Sequence, residues 1–224
     1  MSSKKVLFLI LHGKIYSHRH KYLVNTWLKD QDYLFYGDYE DIEKNIIKVS
    51  DDSSYHSNEA KFVNVITSLE DKYMNYEWYF FADDDTFVNT FRLYDSLFSF
   101  EQGIIGREIN YYPADKSLFY YSGGAGILVY SSIMKHLRYN FKNYKTGFSD
   151  VSLGYYMKEY GISTSGKYNS LFHPYKAEFL DSDIPASIGF HYITEEADMV
   201  RYHEACKNKY LNFRYPPYRF CYWQ

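Results

Sequence analysis

The sequence has few of the features that mark disulfide-rich secreted proteins or nucleic-acid-binding proteins. It contains two cysteines, Cys206 and Cys221, which are too few for a disulfide framework and predict free thiols in a reducing compartment. Its 25 basic and 28 acidic residues give a net charge of -3. This charge does not favour bulk electrostatic binding to nucleic acid or to anionic lipid.

Long hydrophobic runs are also missing. The apolar run at residues 6–11 is far shorter than the roughly 18 to 20 residues that cross a bilayer, and it leads into His12-Gly13-Lys14 rather than a cleavage site. We therefore expect a cytoplasmic protein with no signal peptide, transmembrane segment or membrane anchor. What the chain does have is 46% hydrophobic and 24% charged residues, which is the balance of one folded domain.

The order of the apolar segments predicts an α/β protein. Residues 6–11 are apolar without alternation, which is typical of a strand buried on both faces of a parallel sheet. Further strands are expected at residues 33–36, 46–49, 78–81, 103–106, 127–130 and 188–191. Helices are expected at residues 19–29, from Asn58 with Ser57 as its N-cap, and at 90–98, 150–160 and 194–211. This alternation indicates one domain with a mostly parallel central sheet flanked by helices.

An acidic triplet, Asp83-Asp84-Asp85, directly follows the strand predicted at residues 78–81. In open α/β sheets the ligand crevice lies at the carboxyl ends of the strands. Adjacent carboxylates repel one another, so a divalent cation such as Mg²⁺ or Mn²⁺ is their natural partner, and it can bridge a diphosphate. A polar turn or a helix N-cap is the alternative. The apolar strand before the triplet and Phe87-Val88 after it favour the cation site.

Three other segments carry candidate site residues. Residues 122–126, Ser-Gly-Gly-Ala-Gly, permit close approach of a ligand to the backbone, although a glycine-rich hairpin without a ligand fits equally. Asp150 lies at the start of a predicted helix, where it can cap the helix or act chemically. His191 ends a late strand, as either a hydrogen-bonded core residue or a ligand.

Taken in order, six segments resemble glycosyltransferase family 31, the fringe-like and core-1 β1,3-galactosyltransferase-like inverting transferases. The matching segments are residues 19–27, 78–88 (WYFFADDDTFV), 122–126 (SGGAG), 150–154 (DVSLG), 171–174 (LFHP) and 188–192 (IGFHY). The two histidine-containing segments point towards the core-1 branch. Six ordered matches carry more weight than any single motif.

The resemblance implies a GT-A fold and an inverting hexosyltransferase that uses a UDP-sugar donor and Mn²⁺ (or Mg²⁺). The product would be a β-linkage, β1,3 in type, to a hydroxyl of a glycan, glycoprotein or glycolipid acceptor. Within a single domain spanning residues 1–224, residues 1–88 would form the nucleotide-binding half. Residues 89–224 would form the acceptor-binding and catalytic half.

The resemblance also assigns roles to individual acidic residues and to one histidine. Asp85 would ligate the metal ion, with Asp83 and His191 completing the set of ligands. Asp83 and Asp84 would hold the metal shell or the ribose of the donor. Asp150 matches the catalytic base of the family.

Three glycines of residues 122–126 would shape the floor beneath the donor sugar, namely Gly123, Gly124 and Gly126. The sequence departs from the family at Ser149, where members commonly carry an acidic residue. This departure leaves the base in place and the acceptor contacts open.

Two other functions compete with this interpretation. One is a catalytically silent carbohydrate- or nucleotide-binding module of the same fold, which has no need of a base such as Asp150. The other is a metal-dependent phosphoesterase, which would require further acidic or histidine ligands to bind two metal ions. The sequence shows no such residues at a spacing that indicates a second metal site.

Overall fold

Strands and helices alternate along residues 4–214, which are the residues that the computed structural model describes. The strands are β1 (Lys4–His12), β2 (Asp32–Gly37), β3 (Ile46–Lys48), β4 (Tyr76–Asp83), β5 (Phe87–Val88), β6 (Ile104–Ile105), β7 (Glu108–Asn110), β8 (Phe119–Tyr121), β9 (Ile127–Tyr130), β10 (Phe172–His173) and β11 (Gly189–Phe190). The α-helices are α1 (His20–Val24), α2 (Asn58–Ser68), α3 (Thr90–Ser96), α4 (Ser131–Asn140), α5 (Ser149–Glu159) and α6 (Glu196–Arg214). Short 3-10 helices occupy Lys14–Arg19, Ile42–Lys44, Tyr55–Ser57, Asp71–Tyr73, Leu97–Ser99, Gly166–Leu171 and Ile184–Ala186.

A central sheet has the strand order β3-β2-β1-β4-β9-β6. Its first four strands are parallel, whereas β9 runs antiparallel to both β4 and β6. A small sheet has the order β10-β11-β5, and β7 pairs with β8 in a separate hairpin. The prediction of an α/β domain with a mostly parallel sheet flanked by helices is confirmed.

The two faces of the central sheet bury two separate cores. On β1, Phe8 packs into the core that contains Trp27, whereas its neighbours Leu7 and Leu9 pack into the core that contains Phe62 of α2. Helices α1, α3 and α6 contribute to the first core, and α2, α4 and α5 to the second. Because both faces are covered, residues 6–11 are apolar without alternation.

Most of the helices and strands predicted from the sequence are present, but several begin or end at other residues than predicted. The helix predicted at residues 19–29 is shorter, with a 3-10 helix before α1 and turns after it. Ser57 stands at the N-cap position of α2, yet its hydroxyl donates to the carbonyls of Asp52 and Ser54 instead of capping the helix. Helix α4 and the short strands β5, β7, β8 and β10 were not predicted. Strands of two or three residues give too little periodicity to recognise.

Strand pairing places two distant parts of the chain at one edge of the structure. The register pairs Leu11 of β1 with Asp83 of β4, so the acidic triplet follows the carboxyl ends of neighbouring parallel strands. Immediately after the triplet, β5 pairs antiparallel with β11 and sets Phe87 opposite Phe190. This pairing carries the residue after β11, His191, to the acidic triplet.

The sequence predicts free thiols and no transmembrane segment, and the described residues bear on both predictions. Cys206 is buried and carries a free thiol among the described residues, and burial raises the pKa of that thiol to about 12. Cys221 lies outside the described residues. Across residues 4–214, no helix has both the length and the apolar character that crossing a membrane demands.

The turn before β9 gives a test of the local backbone. Gly126 has a φ of +93°, and a Cβ there would lie 2.5 Å from the ring of Phe80. Gly147 has a φ of +78° but has open space around it. We expect Gly126→Ala to lower the free energy of unfolding by about 3 kcal/mol, because strain and overpacking add, and Gly147→Ala by about 1 kcal/mol. Urea unfolding measures both. Equal losses would show that the contact with Phe80 is unimportant.

Candidate active site

Two of the three triplet carboxylates converge on one histidine. Asp83, Asp85 and His191 each place one ligand atom within 4.8 Å of the others. The Nε2 atom of His191 lies 3.4 Å from a carboxylate oxygen of Asp85. The backbone holds this arrangement, because the N–H of Ile193 donates to the carbonyl of Asp85 over 2.8 Å. The structure therefore brings together all three residues that were predicted to bind the metal ion.

The middle carboxylate of the triplet points the other way. Asp84 is buried, and its two oxygens accept hydrogen bonds from Nδ1 of His12, at 2.8 Å, and from the guanidinium of Arg19, at 2.7 Å. The same guanidinium nitrogen lies 3.9 Å from Asp85. Asp84 is thus neutralised inside the protein, and its predicted contact with the donor stays a prediction.

The hydroxyl of Thr86 joins the acidic triplet to the glycine-rich loop. It accepts from the N–H of Asp83 at 3.2 Å and donates to the carbonyl of Gly124 at 2.9 Å. Thr86 is fully buried, so these bonds are shielded from water. One side chain therefore fixes the relative position of two predicted site segments.

The imidazole of His191 is held in the orientation that a metal ligand needs. Its Nδ1 donates to the carbonyl of Pro174 at 3.1 Å, so Nε2 is the nitrogen that lies beside Asp85 and that could bind a metal ion once it has released its proton. The ring lies directly over Gly124, where a Cβ would come within 2.2 Å of it. The ring of the next residue, Tyr192, stacks on the imidazole of His191 with 3.7 Å between the ring centroids. Gly124 is therefore required for the position of His191.

The electrostatics of the cluster favour a cation. Burial raises the pKa of Asp83 to about 7, and the negative charge of Asp85 adds to this effect. Burial alone would lower the pKa of His191, but its hydrogen bond with Asp85 and the carboxylate charges raise it overall. Two carboxylate oxygens and one imidazole nitrogen fit Mn²⁺ or Mg²⁺. Such an ion would offset the negative charge that otherwise favours protonation.

Asp150 lies in the first turn of α5, across the glycine-rich loop from the cluster. One of its oxygens accepts from the N–H of Gly123 at 3.1 Å and the other from the N–H of Val151 at 2.8 Å. The N-cap residue of α5 is Phe148, so Asp150 does not occupy the cap position. Burial raises the pKa of Asp150, and the two N–H bonds offset part of that rise. A fixed carboxylate of raised pKa is suited to accepting a proton.

The site lies where two cavities adjoin. A cavity of about 290 Å³ is lined by Arg19, Lys61 and the acidic triplet. A second cavity of about 260 Å³ is lined by Gly123, Gly124 and Asp150. Asp83, His191 and Tyr192 line both of them. We call Asp83, Asp85 and His191 the cation cluster. It lies at the border between the first cavity, on the β1 side, and the second cavity, on the α5 side.

Several residues that lie at the site are not predicted from the sequence to belong to it. Lys61 is almost wholly buried beside the first cavity, and burial lowers the pKa of its amine. Its position within α2 gave no signal, since a lysine on a helix is usually solvated. Thr86 lies within the matching segment 78–88 and His12 follows the first predicted strand, but nothing in the sequence marks either side chain as part of the site. Arg19 begins a matching segment, although the ion pair with Asp84 requires the fold.

The predicted segment at residues 171–174 contributes through its backbone. His173 places Nε2 2.7 Å from the hydroxyl of Ser187 and lies outside the cation cluster. The next residue, Pro174, supplies the carbonyl that orients His191. This segment therefore supports the cluster without adding a ligand to it.

Similarity to a known protein family extends over almost the whole chain. The sequence profile of the Fringe-like family matches residues 11–222. No curated protein matches the chain. Among solved structures, the chain is similar to a glycosyltransferase involved in the glycosylation of the major capsid of PBCV-1, with 16% sequence identity and a TM-score of 0.37. That alignment covers 60% of this chain and 64% of the solved chain, so this chain spans less than two thirds of that protein's length.

The contact of His191 with Gly124 generates a test of the cation cluster. We expect Gly124→Ala to displace the imidazole and to weaken Mn²⁺ binding at least about tenfold. Gly123→Ala is the matched control, because a Cβ there meets Asp150 at an ordinary 3.5 Å. Calorimetric titration with Mn²⁺ measures both variants. If Gly124→Ala binds Mn²⁺ normally, His191 is not a ligand.

The raised pKa values generate a test by pH. Asp83, with a pKa of about 7, and His191 must release protons before they can bind a cation. Mn²⁺ affinity should therefore rise about tenfold or more from pH 6 to pH 8 and level off above that range. Titrations at a series of pH values measure it. Affinity that is constant over this range would contradict the proposed set of ligands.

Proposed function

Because this chain belongs to the Fringe-like family of glycosyltransferases, we propose that it transfers a hexose or related sugar from a UDP-sugar to an acceptor hydroxyl, with inversion at the anomeric carbon. The acceptor would be a glycan, glycoprotein or glycolipid. The observation that carries the proposal is the placement of Asp83, Asp85, His191 and Asp150 around two adjoining cavities. The β1,3 type of linkage rests on the resemblance of the sequence motifs.

We assign the nucleotide diphosphate to the larger cavity. Arg19 and Lys61 line it and supply positive charge, which an anionic donor needs in a chain of net charge -3. Most of the lining residues lie within residues 1–88, in agreement with the proposed nucleotide-binding half. We propose that Asp84 contributes by holding Arg19 in place.

Asp83, Asp85 and His191 would hold Mn²⁺ or Mg²⁺ at the border of the two cavities. A bound divalent cation supplies positive charge that stabilises the departing diphosphate. The chain itself prepares the ligands. Thr86 fixes the backbone of the acidic triplet, and the carbonyl of Pro174 accepts from Nδ1 of His191, so that Nε2 is the nitrogen that would bind the ion.

Asp150 would accept the proton of the acceptor hydroxyl as that oxygen attacks the anomeric carbon. In a single displacement the C–O bond to the acceptor forms as the bond to the diphosphate breaks, so the base must face the acceptor side. The N–H groups of Gly123 and Val151 keep the carboxylate of Asp150 in one orientation. We propose that residues 89–224 form the acceptor-binding and catalytic half for this reason.

The glycines have separate proposed roles beneath the donor sugar. Gly124 leaves space for His191, and Gly123 orients Asp150 through its N–H. Gly126 allows the turn that follows, where a side chain would collide with Phe80. A catalytically silent binding module would need the space but not the oriented carboxylate, which is why we favour an enzyme.

Replacement of Asp150 tests the proposed base. Asp150→Asn keeps the size of the side chain and one backbone hydrogen bond, but it cannot take up the proton. We expect single-turnover transfer to fall by a factor of about 10² or more, with UDP binding in Mn²⁺ unchanged and a loss of stability of about 1 kcal/mol. Donor and acceptor are first identified by screening UDP-sugars for Mn²⁺-dependent hydrolysis and transfer.

Asp181→Asn provides the matched control for this experiment. Asp181 pairs with Arg201 at an exposed surface, at 2.8 Å, so its replacement should leave transfer unchanged. If the Asp150→Asn enzyme transfers sugar at a normal rate, Asp150 is a structural residue and the proposed mechanism is wrong.

A further inference from the structure

Glu59 is a buried acidic residue that the proposed mechanism does not use. It lies in the first turn of α2 and is only 2% exposed. One carboxylate oxygen, Oε2, accepts a hydrogen bond from the N–H of Gly147 over 2.7 Å. The other oxygen, Oε1, is buried and has no hydrogen-bond partner in the part of the chain that the structure describes. A carboxylate that is buried with one oxygen unpaired lowers stability, so its presence calls for a reason other than core packing.

The bond from Gly147 to Glu59 fixes the loop that leads into α5. Gly147 has a φ of +78°, and the next residue, Phe148, is the N-cap of the helix. The hydroxyl of Thr146 closes a tight turn, because it accepts from the N–H of Phe148 at 3.0 Å and donates to the carbonyl of the same residue at 2.8 Å. That carbonyl also accepts from the N–H of Ser152 at 3.0 Å. Hydrogen bonds and two peptide bonds therefore connect Glu59 to the first turn of α5.

The first turn of α5 carries Asp150, the proposed base. Residues 147–150 line the second cavity in succession, whereas Glu59 is absent from the described residues that line either cavity. Glu59 therefore contacts the wall of the second cavity from behind. Farther along, α2 and α5 pack in one core, which contains Phe62 and Leu153. Because that core fixes the later turns of α5, the bond to Gly147 controls how the first turn is placed against α2.

We propose that Glu59 is a positioning residue for Asp150. Its carboxylate anchors Gly147 and so holds the start of α5 in the orientation in which Asp150 faces the second cavity. The inference rests on the proposed function, in which Asp150 accepts a proton, and it adds a residue from α2 that touches no reacting atom. Rates of positioned acid–base chemistry are sensitive to displacements of about 1 Å, so one hydrogen bond to the supporting loop can matter for transfer.

Two variants of Glu59 separate the hydrogen bond from the volume of the side chain. Glu59→Gln keeps the size and an amide oxygen that can accept from the N–H of Gly147. Glu59→Met has about the same volume but offers no comparable acceptor. Val65→Ala is the matched control for lost stability, because Val65 is fully buried on the same helix and its apolar side chain makes no hydrogen bond to the loop.

The first measurement follows the amide signals of the ¹⁵N-labelled chain by NMR and needs no substrate. The N–H of Gly123 donates to the carboxylate of Asp150, so its signal reports the orientation of that carboxylate. Glu59→Met should shift or broaden the signals of both Gly147 and Gly123. Glu59→Gln and Val65→Ala should leave the Gly123 signal close to that of the wild type. If Glu59→Met does not fold, the same measurements are made on Glu59→Asp, whose carboxylate is one methylene short of Gly147.

The second measurement is single-turnover transfer, with the donor and acceptor that the screen of UDP-sugars identifies. Glu59→Met should transfer about tenfold more slowly than the wild type, with its affinity for UDP in Mn²⁺ unchanged. Glu59→Gln should keep at least about half of the wild-type rate. Val65→Ala, assayed at a temperature at which it is folded, should transfer at the wild-type rate.

Three results would overturn the inference. They are a Gly123 signal and a transfer rate in Glu59→Met that equal those of the wild type, a Glu59→Gln variant as slow as Glu59→Met, and an equal loss of rate in Val65→Ala. A wild-type chain that neither binds UDP in Mn²⁺ nor transfers sugar contradicts the proposed function instead. The Gly123 signal would still report whether Glu59 positions Asp150.

Discussion

Three adjacent carboxylates at the edge of a sheet repel one another, and this chain separates them by turning the middle one inward. The guanidinium of Arg19 balances the charge of Asp84 and His12 donates a further hydrogen bond to it, so that only Asp83 and Asp85 of the triplet converge on His191. A buried carboxylate without those partners would cost several kcal/mol, so the pairing stabilises the turn as well as shaping it. The proposed site follows from this division between one carboxylate that is paired inside the protein and two that approach His191.

The second requirement is that residues far apart in the sequence meet at the same edge. The two-residue strands β5 and β11 pair directly beside the acidic triplet and deliver His191. The glycine-rich loop fills the space between the cluster and Asp150, and Thr86 fastens it to the triplet. These links fix the positions of Asp83, Asp85 and His191 relative to Asp150.

Sequence reasoning reached the architecture because the strands of the central sheet are buried on both faces and read as unbroken apolar runs. It placed the acidic triplet correctly, since a strand that ends in charge predicts a sheet edge. The prediction that His191 lies beside Asp85 came from the resemblance to the family, because neither spacing nor composition relates residues that are so far apart in the sequence.

The role of Asp84 could not be predicted, because within a turn the direction of each side chain depends on partners from other segments. Arg19 and His12 become partners only after β1 and β4 have paired. The same holds for the exposed aromatic side chains around the smaller cavity. Three tyrosines and one phenylalanine from separate segments line it, namely Tyr55, Phe148, Tyr175 and Tyr192, and only the fold gathers them around one cavity.

The most direct test of the account is the affinity of UDP measured by calorimetry in Mn²⁺ and in EDTA, for the wild-type chain and for Asp85→Asn. The account predicts that the wild type binds UDP at least about tenfold more tightly in Mn²⁺, because the cation offsets the repulsion between carboxylates and diphosphate. Asp85→Asn should lose most of that difference. Equal affinity of the wild type in both solutions would contradict the claim that the acidic triplet exists to bind a cation for the donor.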